Sequence, residues 1–116
     1  MKKYKVVFHI DEGTNARAEL VFNNIENLIA DVGQEDVEIE LVSNSEGVRI
    51  FLGTPGQHAS RIETLAAKGV RLVACANSLR KLGFAPDSLF NHVEVVSSGV
   101  SELVKKQTDG WAYIRP

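Results

Sequence analysis

The chain of 116 residues is long enough to bury the core of one domain and short for two. Its 44% hydrophobic and 24% charged residues are those of an ordinary globular protein, and a formal charge of −2 gives no basic stripe for nucleic acid. A single cysteine, Cys75, excludes a disulfide within the chain, and no segment has membrane-spanning length. These features predict a one-domain cytoplasmic protein, residues 1–116, with no nucleic-acid or membrane partner. The longest basic pair, Lys105-Lys106, reads as a solvated helix face.

Five apolar runs alternate with amphipathic stretches. Lys5 to Ile10 is predicted as the first strand, apolar nearly throughout and therefore covered on both faces. A helix follows from about Thr14 to Val32, with Leu20, Val21, Ile25, Leu28, Ile29 and Val32 as its apolar stripe and Gly33 as its C-cap. In the second strand, Val37 to Val42, apolar residues alternate with Glu38 and Glu40, the pattern of a wet face or an edge position. Residues 44–52 fit a short helix or a strand fragment equally. Gly53-Thr54-Pro55-Gly56 is turn chemistry, and a second helix is predicted from Gln57 to Lys68.

Val70 to Cys75 or Ala76 makes the third strand, followed by a short helix through Leu79 and Leu82 that stops at Gly83. Val93 to Val96 is the fourth strand. After Ser97-Ser98-Gly99 comes a helix carrying Val100, Leu103 and Val104, and Trp111 to Ile114 ends the chain as a fifth strand. This alternation predicts an α/β fold, a mostly parallel sheet with helices on both faces. Ligands of such sheets bind outside the carboxyl ends of the strands. His9 and Asp11, Cys75 to Ser78, and Ser97 to Gly99 all fall on that rim.

Cys75 can pack as a small buried hydrophobe, or it can react. Reaction requires an accessible sulfur with a depressed pKa. Asn77 or Ser78 is placed to cap the next helix and leave N–H groups pointing back at the thiol. His9 would polarise Cys75 if the first and third strands were neighbours; otherwise it is a histidine hydrogen-bonded within the sheet.

Other chemistries fail on their motifs. A cysteine phosphatase closes its loop five residues after the thiol, often with an arginine next, whereas Arg80 comes one residue early and the intervening loop has no glycine. Asp11-Glu12 resembles the acidic pair of receiver domains, but Cys75 stands where their phosphorylated aspartate would be. Gly53 to Gly56 lacks a P-loop lysine. His58 and His92 are too scattered to complete a metal site with one cysteine, so no metal is predicted. Asn23, Asn24 and Asn27 line one edge of the first helix, where polar contacts to a neighbouring loop or subunit suit them. Trp111 and Tyr113 share a face of the last strand and suit core or interface anchoring.

Several stretches together resemble the DsrE/DsrF-like (YchN-like) family. They are His9-Ile10-Asp11, Asn24 and Asn27, Gly69-Val70, Ala74-Cys75-Ala76-Asn77-Ser78-Leu79, Val95-Val96-Ser97-Ser98-Gly99-Val100, Glu102-Leu103, Gln107, and Gly110 to Pro116. The resemblance implies a three-layer α/β/α sandwich around a five-stranded parallel sheet, assembled as a trimer or hexamer. In the family's sulfur-relay members a cysteine at the position of Cys75 carries sulfur as a persulfide and passes it to a partner. The resemblance thus implies a sulfur carrier with Cys75 as its thiol, working without a cofactor between donor and acceptor proteins. On the residues themselves, the helix start at Asn77 and Ser78 would stabilise its thiolate, and Ser98 with Gly99 would line the pocket. Two alternatives stay open: a non-enzymatic homo-oligomer that binds a small ligand or acts as a scaffold, and a thiol redox sensor.

Overall fold

A computed structural model describes residues 2–116. Five strands, β1 (Tyr4–Ile10), β2 (Val37–Ser43), β3 (Arg71–Cys75), β4 (Val93–Val96) and β5 (Ala112–Ile114), form one sheet. Four helices lie between them: α1 (Asn15–Val32), α2 (Ala59–Ala67), α3 (Ala76–Leu82) and α4 (Gly99–Thr108). The strand order is β4-β3-β2-β1-β5, and every pairing is parallel.

From β1 to β4 the chain steps across the sheet in one direction, so right-handed crossovers put α1, α2 and α3 on the same face. The return from β4 to β5 runs the other way and places α4 on the opposite face. Two hydrophobic clusters mark these layers. The larger joins Phe8, Ile10 and Leu41 of the sheet to Val21, Phe22 and Ile25 of α1, Ile62 and Leu65 of α2, and Leu79 of α3. The smaller holds Val7, Val42, Val73, Leu103 and Trp111 beneath α4. The expected three-layer sandwich is therefore present, with unequal outer layers.

Helix α1 begins as its sequence predicts, with Thr14 Oγ1 accepting the Arg17 N–H at 3.2 Å, and it ends at Gly33 with φ 93°. Its buried stripe is shifted from expectation. Ala18 and Phe22 face the core, whereas Leu20 is 42% exposed. Residues Ser45–Phe51 form a 3-10 helix and bury Val48, Ile50 and Phe51. Gly47 lets that segment lie on the end of β1, since a Cβ there would strike the Ile10 carbonyl. Helix α2 starts two residues later than expected. No helix among the described residues is long and apolar enough to cross a membrane.

The main correction concerns β2. Its alternation suggests an edge or a wet face, yet it is the central strand, and the Glu40 side chain is fully buried. Register explains its neighbours: Glu40 lies opposite Val7 on one side and Arg71 on the other. Arg71 Nη1 approaches Glu40 Oε2 at 2.7 Å, and Lys106 Nζ of α4 stands 3.9 Å from Glu40 and from Glu102. Lys106 is therefore no part of a solvated face. Its ammonium also sits 4.6 Å from the Trp111 ring centre, which leaves only Lys105 of the pair exposed.

Burial pushes the Glu40 carboxyl up to about 7, aided by the neighbouring Glu102 carboxyl, against the opposing pull of Lys106 and Arg71. A carboxyl raised in this way binds more protons folded than unfolded. Its stabilising contribution is complete below pH 4.5 and is lost as pH rises through about 7. Glu40→Gln removes that loss. Relative to the natural chain, the variant should gain on the order of 1–3 kcal/mol of stability as pH rises from about 4.5 to about 8. Urea unfolding of both proteins measures this, and a difference independent of pH would mean that folding does not raise the Glu40 carboxyl.

Candidate functional site

Strands β3 and β4 are neighbours whose following helices leave to opposite faces. A crevice opens at such a switch point, outside the carboxyl ends of the two strands. Cys75 closes β3 at this place and Gly99 opens α4, with Cys75 paired to Val96 of β4.

No loop separates β3 from α3. Cys75 is extended (φ −81°, ψ 119°), and the helix begins at the next residue. Its sulfur caps the helix, accepting the Ser78 N–H at 3.4 Å. The expected caps, Asn77 and Ser78, instead lie inside the first turn. Asn77 Oδ1 is held by Arg80, so only the Asn77 backbone faces the sulfur. Ser78 Oγ accepts the Ser45 N–H at 2.7 Å, which leaves its own proton free to donate.

Burial pushes the Cys75 thiol up. Donation from the Ser78 hydroxyl and from the N–H groups of Gly99, Ser78 and Asn77 outweighs that effect and holds the thiol below its ordinary value. These donors come from the first turns of both α3 and α4. Gly99 is required at this approach: a Cβ there would lie 3.1 Å from Cys75 Cβ and 3.2 Å from Asn44 Cβ. Ser98 does not face the sulfur with its hydroxyl, which caps α4 by accepting the Ser101 N–H at 3.2 Å. Cys75 itself is 4% exposed.

His9 does not reach Cys75, because β2 lies between β1 and β3. It is 8% exposed and bonded on both ring nitrogens, Nε2 to Asn44 Oδ1 at 2.7 Å and Nδ1 to the Tyr113 hydroxyl at 2.6 Å. Asp11 turns to the sheet's other edge, where Arg115 Nη2 donates to its Oδ2 at 3.0 Å. It thus lies apart from the sulfur. Asn23 accepts from Arg61 of helix α2 at 2.9 Å, a contact to a neighbouring helix rather than to a loop or subunit, and His58 packs edge-on against Phe22. Among the described residues no group of three or more His, Cys, Asp or Glu is placed to hold a metal.

Asn44 was not singled out by sequence reasoning, and Tyr113, expected as a core or interface anchor, instead bonds His9. Asn44 directly follows β2 and so satisfies the same rim rule as Cys75, but the misplacement of β2 hid it. Asn44 and Ser78 also line a cleft of about 260 Å³ with Ser45, Glu46, Lys81 and Leu82.

Residues 2–116 match the model of the DsrE/DsrF-like family. The chain belongs to that family. It is similar to the solved structure of a protein of unknown function, MTH1491 from Methanobacterium thermoautotrophicum. Identity is 46% over 97% of this chain and 99% of that one, with a TM-score of 0.92. It also shares the fold of the ychN protein from E. coli, with a TM-score of 0.78 at 17% identity and full coverage of both chains. No curated protein matches it. This family member thus has its cysteine at a helix start within the family's α/β sheet.

Ser78→Ala removes the hydroxyl donor and leaves the capping N–H in place. The pH profile of Cys75 alkylation should move to higher pH, with the rate at pH 7 reduced by roughly threefold to tenfold. An unchanged profile would show that the hydroxyl does not donate to the sulfur.

Proposed function

We propose that this DsrE/DsrF-like protein is a sulfur carrier that holds sulfane sulfur on Cys75. Family membership supports the reading. The observation that carries it is the seat of the Cys75 sulfur, which caps α3 by accepting the Ser78 N–H at 3.4 Å, packs against Gly99 at the start of α4, and has its pKa held down there. Such a seat favours a negative sulfur without any neighbouring base.

The chemistry balances without an added oxidant or reductant. Cys75 thiolate attacks the outer sulfur of a donor persulfide, the donor's S–S bond breaks, and the donor leaves as a thiolate. An acceptor thiolate then attacks the outer sulfur now on Cys75 and displaces the Cys75 thiolate. Both transfers move one sulfur atom between thiolates. This is carriage between proteins rather than turnover of a small substrate.

One observation favours a second reading. At 4% exposure, Cys75 also has the burial of a packing residue, which suits a ligand-binding or scaffold protein without thiol chemistry. Treatment with a low-molecular-weight persulfide donor followed by intact mass separates the two. The carrier gains the mass of one sulfur atom, and Cys75→Ser gains none; no addition to the natural chain, or equal addition to both, overturns the carrier reading.

We also propose that the protein is a homo-oligomer, a trimer or hexamer. Val100 and Val104 stand one turn apart on the outer side of α4, 58% and 56% exposed, and Tyr113 and Ile114 are each 39% exposed on the edge strand β5. Light scattering should give three or six times the chain mass. A mass equal to one chain refutes it.

A further inference from the structure

Outside the donors that hold the Cys75 sulfur, one polar chain remains without a role. It runs from Tyr113 on β5 to His9 at the end of β1, and from there to Asn44 just after β2. Asn44 and Cys75 in turn flank the same point, the place where Gly99 lacks a side chain. Tyr113, His9, Asn44, Cys75 and Gly99 therefore form a row across the carboxyl ends of the strands, in spatial order β5, β1, β2, β3, β4.

The direction of each bond in this row follows from what its members can donate. Asn44 Oδ1 only accepts, so His9 Nε2 carries the proton. In the neutral imidazole Nδ1 is then an acceptor, and the Tyr113 hydroxyl donates to it. With Oδ1 committed to His9, the free part of Asn44 is its amide NH2, for which no protein acceptor exists among the described residues. Asn44 borders the cleft with Ser78. The donors already on Cys75 Sγ come from Ser78, Gly99 and Asn77, so Asn44 is surplus to the resting thiol.

We propose that Asn44 binds the outer sulfur of the Cys75 persulfide through its amide NH2, and that His9 is the positioning residue that fixes the amide in that orientation. The inference rests on the carrier reading. A persulfide extends the side chain by one S–S bond, about 2 Å, beyond the donors that surround Sγ. Perthiols are stronger acids than thiols, so this outer sulfur carries the charge once sulfur is loaded. A neutral amide can stabilise it without the tight hold that a lysine ammonium would give to an anion that must leave.

The test compares the natural chain with Asn44→Ala and Asn44→Asp, each loaded by a low-molecular-weight persulfide donor. Asp retains the oxygen that accepts from His9 and nearly the same volume, so it keeps the experiment informative if the alanine variant fails to fold. Two quantities are read: the alkylation–pH profile of the unloaded thiol, and the rate at which cyanide takes the outer sulfur as thiocyanate and returns the Cys75 thiolate. The loaded sulfur is expected to be lost about tenfold faster from both variants, the loss of one hydrogen bond to a charged group. Asn44→Ala should change the loss rate several-fold more than it moves the unloaded profile, whereas a merely structural Asn44 would move both together. If the natural chain takes up no sulfur, the carrier reading itself fails. If it loads and the variants lose sulfur at its rate, or if Asn44→Ala shifts the unloaded profile as much as the loss rate, the role of Asn44 is overturned and the carrier reading stands.

Discussion

The constraint on which the rest of this structure depends is the return of the chain from β4 to β5. Three right-handed crossovers carry it across the sheet in one direction and stack three helices on one face. The final strand pairs with β1, on the far side of β2 and β3, so its connection must recross the sheet on the opposite face. Helix α4 is the only helix in that connection. One helix of ten residues covers a five-stranded sheet. The same reversal makes α3 and α4 diverge from adjacent strands, which is why their first turns meet at Cys75.

A thin layer also accounts for Glu40. The apolar cluster under α4 contains five buried residues, too few to close that face alone. A charged group completes it, with Glu40 from the sheet, Arg71 from the next strand, and Lys106 and Glu102 from the helix. Burying such groups is costly unless they satisfy one another, and the raised Glu40 pKa is the visible sign of incomplete compensation. Because Glu102 and Lys106 belong to the helix that begins at Gly99, the cluster that docks α4 also sets the distance between Gly99 and Cys75. Packing at the middle of the sheet and donor geometry at its end are held by one rigid element.

The order of strands and helices was legible in the sequence, and so were the ends of α1, where Thr14 and Gly33 have the side chain and the positive φ that caps need. The layered fold followed from alternation alone. Strand order did not, because periodicity reports which face a residue takes and says nothing of which strand lies beside it. That is why His9 was a candidate partner for Cys75 until β2 was found between them. The Glu38 and Glu40 alternation misled for a related reason: it marks a polar side of a strand, and a polar side can be buried when another element brings counter-charges to it. The rim rule did gather Cys75, Ser78 and Gly99. It missed the cap, because sulfur is not among the usual capping groups, and it missed Asn44 along with the true place of β2.

Placement and chemistry come together in how this thiol is held. A histidine base activates a cysteine by taking its proton, and its help depends on its own ionisation. Here His9, the histidine on the same rim, is bonded on both nitrogens, to Asn44 and Tyr113. The sulfur is surrounded instead by a hydroxyl and three backbone N–H groups, fixed donors that do not titrate. Such a cradle favours the negative form of sulfur and offers no general acid for a leaving group. That combination suits exchange between thiolates, in which no proton need move, better than acyl or phosphoryl transfer, whose leaving groups must be protonated or neutralised. Cys75 is also 4% exposed, and Gly99 at the start of α4 packs against it, so the docking of α4 sets both the enclosure of the sulfur and one of the contacts that hold its pKa down.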